Sequence, residues 1–267
     1  MRDGIRLYFR YISLSLRSQL QYPASFIMMA VGNLVINGVE FVGIWALFAR
    51  FGSLKDWKLP EVALFYGMVH MAFAISEAAA RGFDILHRYV RTGDFDRILL
   101  RPRSTVLQVM GLEFQVMRVG RLGQGLLVLI WGLANLEHRL TLPQGILMGA
   151  AILGGSLLFS GLFVLQATLS FWTVDSLEVV NLATYGGVDT AQVPISIYHG
   201  WFRSFFIWIV PLATINYFPL MAILDHEDPL HVPMWLSCLS PLAGLLFFLG
   251  CVQVWKFGVR HYHSTGS

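Results

Sequence analysis

Five polar side chains stand inside long apolar runs. Asn33, Asn37 and Glu40 recur at i, i+4 and i+7, so a helix lines them up as one stripe. His70 and Glu77 are seven residues apart and share a face of a second helix. An ionisable group surrounded by hydrocarbon needs a partner or a task, because its charged form is costly there. On one reading the two stripes line a substrate path or a contact between subunits. On the other, Asn33 and Asn37 are interhelical hydrogen-bond glue and His70 is a packed histidine. Glu77 is then neutralised by Arg81 one turn on, and Glu40 fits either reading.

Other constellations carry less chemistry. Asp225, His226, Glu227, Asp228 and His231 cluster in one loop. The two histidines are five apart beside prolines, without the helical spacing that aims two ligands together, so the cluster reads as a solvated acidic mouth and no metal is expected. Ser76-Glu77-x-x-x-Arg81 faintly resembles the Glu-Glu-x-x-x-Arg of CAAX-type membrane proteases, but the first Glu is Ser and no histidine pair follows within an apolar run. Ser156 and Ser160 likewise lack a histidine to complete a dyad, so no catalytic residue is expected. There is no G-x-x-x-x-G-K-[ST]; no Gly-Lys pair occurs at all, and the chain has three lysines. It cannot cradle a nucleoside triphosphate in a P-loop, so any energy from ATP has to come through another subunit. Gly186-Gly187 reads as a turn.

The elements that position these residues are set by composition. The chain has 267 residues, 56% hydrophobic and 13% charged, with a mean hydropathy of +0.61. Soluble domains carry about 25% charged residues, and the long unbroken apolar runs exclude a β-barrel. Net charge +3 without a basic stripe argues against nucleic acid as a partner. Cys238 and Cys251 are too far apart on a helix to pair.

An all-α integral membrane protein follows, with six expected spans: 24–49, 62–80, 106–136 (its membrane part 116–136), 146–174, 201–224 and 235–259. Residues 1–22, with Arg2, Arg6, Arg10 and Arg17 along one side, read as an interfacial amphipathic helix rather than a signal peptide. Residues 23–259 form the transmembrane domain and 260–267 a tail. With this layout fifteen of the nineteen Lys and Arg fall on the side of the termini, which the positive-inside rule places in the cytoplasm. Gly145-x-x-x-Gly149, Ala150/Gly154 and Ala151/Gly155 offer rows of small residues for close helix approach. No internal repeat relates 24–136 to 146–259.

The densest charge lies between the second and third spans, in RGFDILHRYVRTGDFDRILLRPR, residues 81–103. Phe83, Leu86 and Val90 share a face with Arg88 and Arg91 turned away. Thr92-Gly93 stops that helix, Asp94 can cap a second short turn, and Pro102 ends it. Two short amphipathic helices make a handle that another protein could grip.

GDFDRILLRP followed by Gln108 resembles the cytoplasmic motif of ABC-2 type transporter permeases, the six-span components that pair with a separate ATPase. FWTVDSLEVVNLATYGGVDTAQVPISIYHGWFRSFFIWIVPLATINYFPLMAIL, residues 171–224, and the FGSLKDW loop extend the resemblance over nearly the whole chain. It implies the permease subunit of an ATP-driven exporter in a bacterial cytoplasmic membrane. Two copies of an ATPase, carrying ATP and Mg, would dock on residues 82–103 and on the N-terminal helix. A second permease, identical or a sister subunit, would complete the assembly in the lipid bilayer. Gly93, Asp94, Phe95, Asp96, Leu99, Leu100, Arg101 and Pro102 sit where the coupling element would be. The apolar spans suit a hydrophobic or amphipathic cargo. An ion-coupled secondary transporter without an ATPase is the alternative.

Overall fold

The computed structural model describes residues 2–55, 57–114, 118–137, 139–173, 177–226 and 232–264. Apart from one Leu54–Trp57 bridge, the regular structure among them is helical. Four helices are long and apolar enough to cross a membrane: α2 (Pro23–Phe51), α3 (Leu59–Asp84), α8 (Leu142–Leu169) and α13 (Leu242–Arg260). The expected third span is shorter than predicted. It is α7 (Val119–Ala134), 16 residues and thus about 24 Å long, against a hydrocarbon core of about 30 Å.

The helices form a row in the order α2, α7, α3, α8, α13. α3 is central and buried along most of its length, flanked by α7 and α8. α2 leans on α7, barely touches α3 and exposes most of its apolar surface, including Ile36, Val39 and Trp45. The small residues of α8 are divided in use. A Cβ on Gly154 would meet the Pro241 carbonyl at 2.4 Å, and one on Gly244 would meet the Gly154 carbonyl at 2.0 Å, so α8 and α13 cross backbone to backbone there. Gly155 backs onto Ala72 of α3, whereas Gly145 and Gly149 face open space.

The apolar run 201–224 is broken into two helices bent against each other, and the element before it, α9 (Leu177–Ala191), lies against α3 and α8. Its Tyr185 hydroxyl meets Arg81 near one end of α3, and Gln192 meets His70 in the middle. Past the end of α9, the Ser196 carbonyl accepts from Lys55 Nζ at 2.9 Å in the loop between α2 and α3. The chain has therefore passed from one face of the bundle to the other by residue 196.

α10 (Gly200–Trp208) and α11 (Tyr217–Leu224) then dip in and return to that same face, bent by 70°. At the bottom, Leu212 and Ile215 approach Gly187 and Gly155. At the exit, Gln144 donates to the Ile223 carbonyl (2.9 Å), at the start of α8. Residues 200–224 read as a span because they are apolar throughout, and Pro211 marks the break that folds them back. α12 (Met234–Leu239) leads into α13 from the same face. Among the described residues four helices are long and apolar enough to cross a membrane, or five if the bent pair is one span; placing Arg203 with Lys55 leaves fourteen Lys and Arg against five.

α1 (Arg2–Gln19) crosses the other end of the bundle. Tyr8 donates to the Ala79 carbonyl at 3.1 Å and Gln19 to Phe114 at 2.6 Å, while Arg10, Leu14 and Arg17 face outward.

Two outcomes are expected. In a chain with Cys238 and Cys251 replaced by Ala, His199→Cys reacts with an impermeant maleimide from the same side as Lys55→Cys and the opposite side from Arg97→Cys. Gly244→Val forces α8 and α13 apart and lowers stability by about 1–3 kcal/mol, read as a lower Tm in detergent.

Candidate functional site

The α2 and α3 stripes meet through a residue that the sequence reading counted only as a positive charge on the side of the termini. Arg121, one turn into α7, donates from Nη1 to Glu77 Oε2 (3.2 Å) and from Nε to Asn37 Oδ1 (3.1 Å), with its guanidinium 5.0 Å from the Phe73 ring centroid. Arg118, just before α7, forms a second ion pair with Glu77 Oε1 at 3.2 Å. Glu77 has no exposed side-chain surface.

The expected Glu77–Arg81 pairing is therefore corrected. Arg81 turns to Asp84 in an ion pair and to the Tyr185 hydroxyl at 3.2 Å, and Gln166 of α8 donates to Asp84 at 3.0 Å. Two cations around Glu77 outweigh what one neighbour on the same helix could offer in a site without water. Arg118, Arg121 and Gln124 are three apart at the head of an apolar run, so they share one helical face. That spacing was the signal available in the sequence.

The rest of the network lies nearer the centre. Tyr66 donates to the Asn37 carbonyl (2.7 Å) and accepts from Gln124 Nε2 (3.0 Å). His70 is buried, stacks on Tyr66 with ring centroids 4.0 Å apart, and places Nε2 3.5 Å from Gln192 Oε1. Asn37 does join helices, as the glue reading had it, whereas the Asn33 side chain donates to the Met29 carbonyl of its own helix. Glu40 stays exposed on α2, beside the Tyr66 hydroxyl and within electrostatic reach of Arg121 and Asp189.

The 82–103 segment forms α4 (Leu86–Arg91) and α5 (Phe95–Leu99), followed by α6 (Thr105–Met110). Gly93 takes φ 73°, the left-handed turn that reverses the chain between α4 and α5. Asp94 does not cap α5. Its carboxylate accepts from the Thr92 hydroxyl (2.7 Å) and pairs with Arg97 (3.3 Å), while its own backbone is helical.

Phe95 is buried among Phe171, Trp255 and Tyr262 at 5.2, 6.1 and 5.0 Å, so the aromatic side of the handle is covered by the ends of α8 and α13. Gln108 donates to the Ile98 and Arg103 carbonyls, and Asp96 accepts from Ser264 at 2.6 Å. Burial, and next the nearby Asp96 carboxylate, hold the Tyr262 phenol above its ordinary value. Leu100 is 84% exposed and Leu99 37%, beside exposed Pro102, and Arg88, Arg91, Arg97, Arg101 and Arg103 of the same segment are exposed as well.

At the opposite face the acidic mouth is in part a structured rim. His226 pairs with Glu61 at 2.9 Å and stacks on Trp57 at 4.5 Å, and Lys58 pairs with Glu137. Glu227, Asp228 and His231 lie outside the described residues, among which no group of metal-ligating side chains occurs.

Glu77→Gln strands two buried guanidinium groups and is expected to cost about 3–5 kcal/mol. Glu40→Gln should cost less than about 1 kcal/mol. Thermal unfolding in detergent separates them, with a Tm at least about 5 °C lower for the first variant alone.

The comparison with known proteins agrees with this architecture. A family model described as ABC-2 family transporter protein matches residues 34–266, from within α2 to the tail beyond α13. No curated protein and no solved structure matches the chain. With most of its length covered by that model, and with a helical bundle built to cross a bilayer, the chain belongs to the ABC-2 family of transporter proteins.

Proposed function

We propose that this chain is the permease subunit of an ATP-driven exporter, working as a pair of permeases with two copies of a separate ATPase. The α4–α5 handle and α1 lie on the cytoplasmic side in this reading, with both termini. The positive-inside bias supports that orientation. The observation that carries the proposal is the tip at Leu99 and Leu100. Two leucines lie at the end of a turn whose other apolar residues, Phe95 and Ile98, are already buried in the chain's own core. An apolar knob with a cationic rim fits an apolar groove with an acidic border, the usual division between affinity at the centre and orientation at the edge of a contact.

ATP and Mg belong to the partner in this scheme. Closing of the ATPase pair would press on the tip and, through Phe95 and Gln108, on the ends of α3, α8 and α13. The second permease would face α2, whose outward surface is apolar along most of its length. An ion-driven carrier would instead use a membrane carboxylate that binds and releases its ion. Glu77, held by two arginines, is poorly suited to that task.

Purification of the C-terminally tagged chain from its host in mild detergent tests the reading directly. A P-loop ATPase is expected to accompany it, and a chain recovered without one after cross-linking would overturn the proposal. Leu100→Asp should weaken ATPase capture tenfold or more, since burying a leucine is worth about 1.5–3 kcal/mol. Its Tm should be unchanged, because the side chain has no packing to lose. Phe95→Asp should lower the Tm as well.

A further inference from the structure

The end of α2 away from the termini borders an apolar groove of about 400 Å3, within the size range of small-molecule sites. Ile44, Leu47, Phe48 and Phe51 line it at the i, i+3, i+4, i+7 spacing that keeps side chains on one face of a helix. Val193, two residues past α9, and Ser53 and Leu54 of the turn after α2 complete the lining, in which the Ser53 hydroxyl is the one polar side-chain group. Leu47 and Phe51 are 58% and 68% exposed, so the groove opens at the surface. Its two sides are stitched together, because Lys55, next after Leu54, donates to the carbonyl of Ser196, three residues after Val193. α2 has 29 residues and is thus about 43 Å long, more than a hydrocarbon core of about 30 Å, so its last turn stands at headgroup level. From Phe51 back to Ile44 the lining descends about 10 Å into the bilayer. The groove therefore runs from the interface inward, as an acyl chain does. At its outer edge the exposed Arg50 guanidinium lies 5.7 Å from the Phe51 ring centroid, and Lys55 keeps two of its three donors after the Ser196 bond. No Asp or Glu occurs in 41–55 or 190–224, and Asp56 lies outside the described residues.

Apolar walls favour an occupant without polar atoms, and the cations at the mouth favour one that ends in negative charge. We infer that this groove binds an anionic phospholipid of the leaflet on that side, with one acyl chain along the Ile44–Phe51 face and its phosphate at Arg50. Arg is suited to that role because its planar fork of donors matches a phosphate, and near a membrane surface its charge also selects anionic headgroups. The chain would lie between α2, the helix least tied to the bundle, and the stretch that follows α9, and so brace one against the other. The inference goes beyond the exporter reading and does not rest on it, since it concerns a lipid held by the fold and not a cargo.

The test is intact-protein mass spectrometry of the full chain, released from detergent micelles that hold equal amounts of phosphatidylglycerol and phosphatidylcholine with the same acyl chains. Phosphatidylglycerol is expected to be retained about fivefold or more over phosphatidylcholine, the preference that one cation near a membrane surface supplies. Arg50→Gln should bring that ratio toward one, whereas Arg139→Gln, which removes another exposed cation from the same face, should leave it. Leu47→Trp puts a larger side chain into the groove and should lower retention of both lipids. Equal retention of the two lipids by the unaltered chain would overturn the site. So would an Arg139→Gln loss as large as that of Arg50→Gln, which would mean diffuse surface charge, or phosphatidylglycerol retention unmoved by Leu47→Trp, which would mean a headgroup held without its chain. Separation of cross-linked permease pairs by Leu47→Trp, with the lipid count unchanged, would assign the groove to a second copy instead. Arg50→Ser and Phe51→Trp replace the first and third variants if either fails to keep the Tm of the unaltered chain.

Discussion

The bilayer supplies no water to a buried charge, and that constraint organises the inner half of this protein. Glu77 lies two turns from the end of α3 with no exposed surface, and it is tolerable there because Arg118 and Arg121 reach it from the head of α7. Their reach fixes how deep α7 begins, and so why it is 16 residues long where a free span would have about 20. It also fixes α2, since Arg121 holds Asn37 by its remaining donor. Removing the carboxylate would leave two guanidinium groups in hydrocarbon, and Arg121, which joins α7 to both α2 and α3, would lose its hold on α3. The second ionic knot, Arg81 with Asp84, Tyr185 and Gln166, repeats the logic one turn nearer the surface and ties α8 and α9 to α3.

Much of this was legible in the sequence, and the failures share a cause. Hydropathy located α2, α3, α8 and α13 because each is a continuous apolar run bounded by Pro, Gly or charge. It passed over α9 because that helix carries Glu178, Asn181, Thr184, Asp189 and Thr190, yet two of them are shielded by its neighbours: Thr184 and Thr190 are buried and bond to their own helix. The true hairpin, 200–224, is apolar on every side because half of it packs inward and half faces outward, and average hydropathy is blind to direction. The Arg81 assignment failed for a related reason. Spacing along one helix shows which residues share a face, but not what a second helix brings to that face.

The handle shows the opposite balance. Of its second turn's apolar residues, the chain itself covers Phe95 and Ile98 and leaves Leu99 and Leu100 outside. Phe95 packs among Phe171, Trp255 and Tyr262, which come from the ends of α8 and α13, and Trp255 also donates to Thr105 at the start of α6. An element held by this many rings cannot tilt alone. Displacing its tip must move the ends of α3, α8 and α13 as one body, because packed cores transmit strain better than they absorb it. α2 is outside that body, held through α7 and the Asn37–Arg121 bond.

This division locates the seam along which the protein can open. The rigid part contains α3, α8, α9 and α13, and α2 is the helix least bound to it. The Glu77 cluster is the tie across that seam, because Arg121 of α7 holds Glu77 of α3 and Asn37 of α2 together.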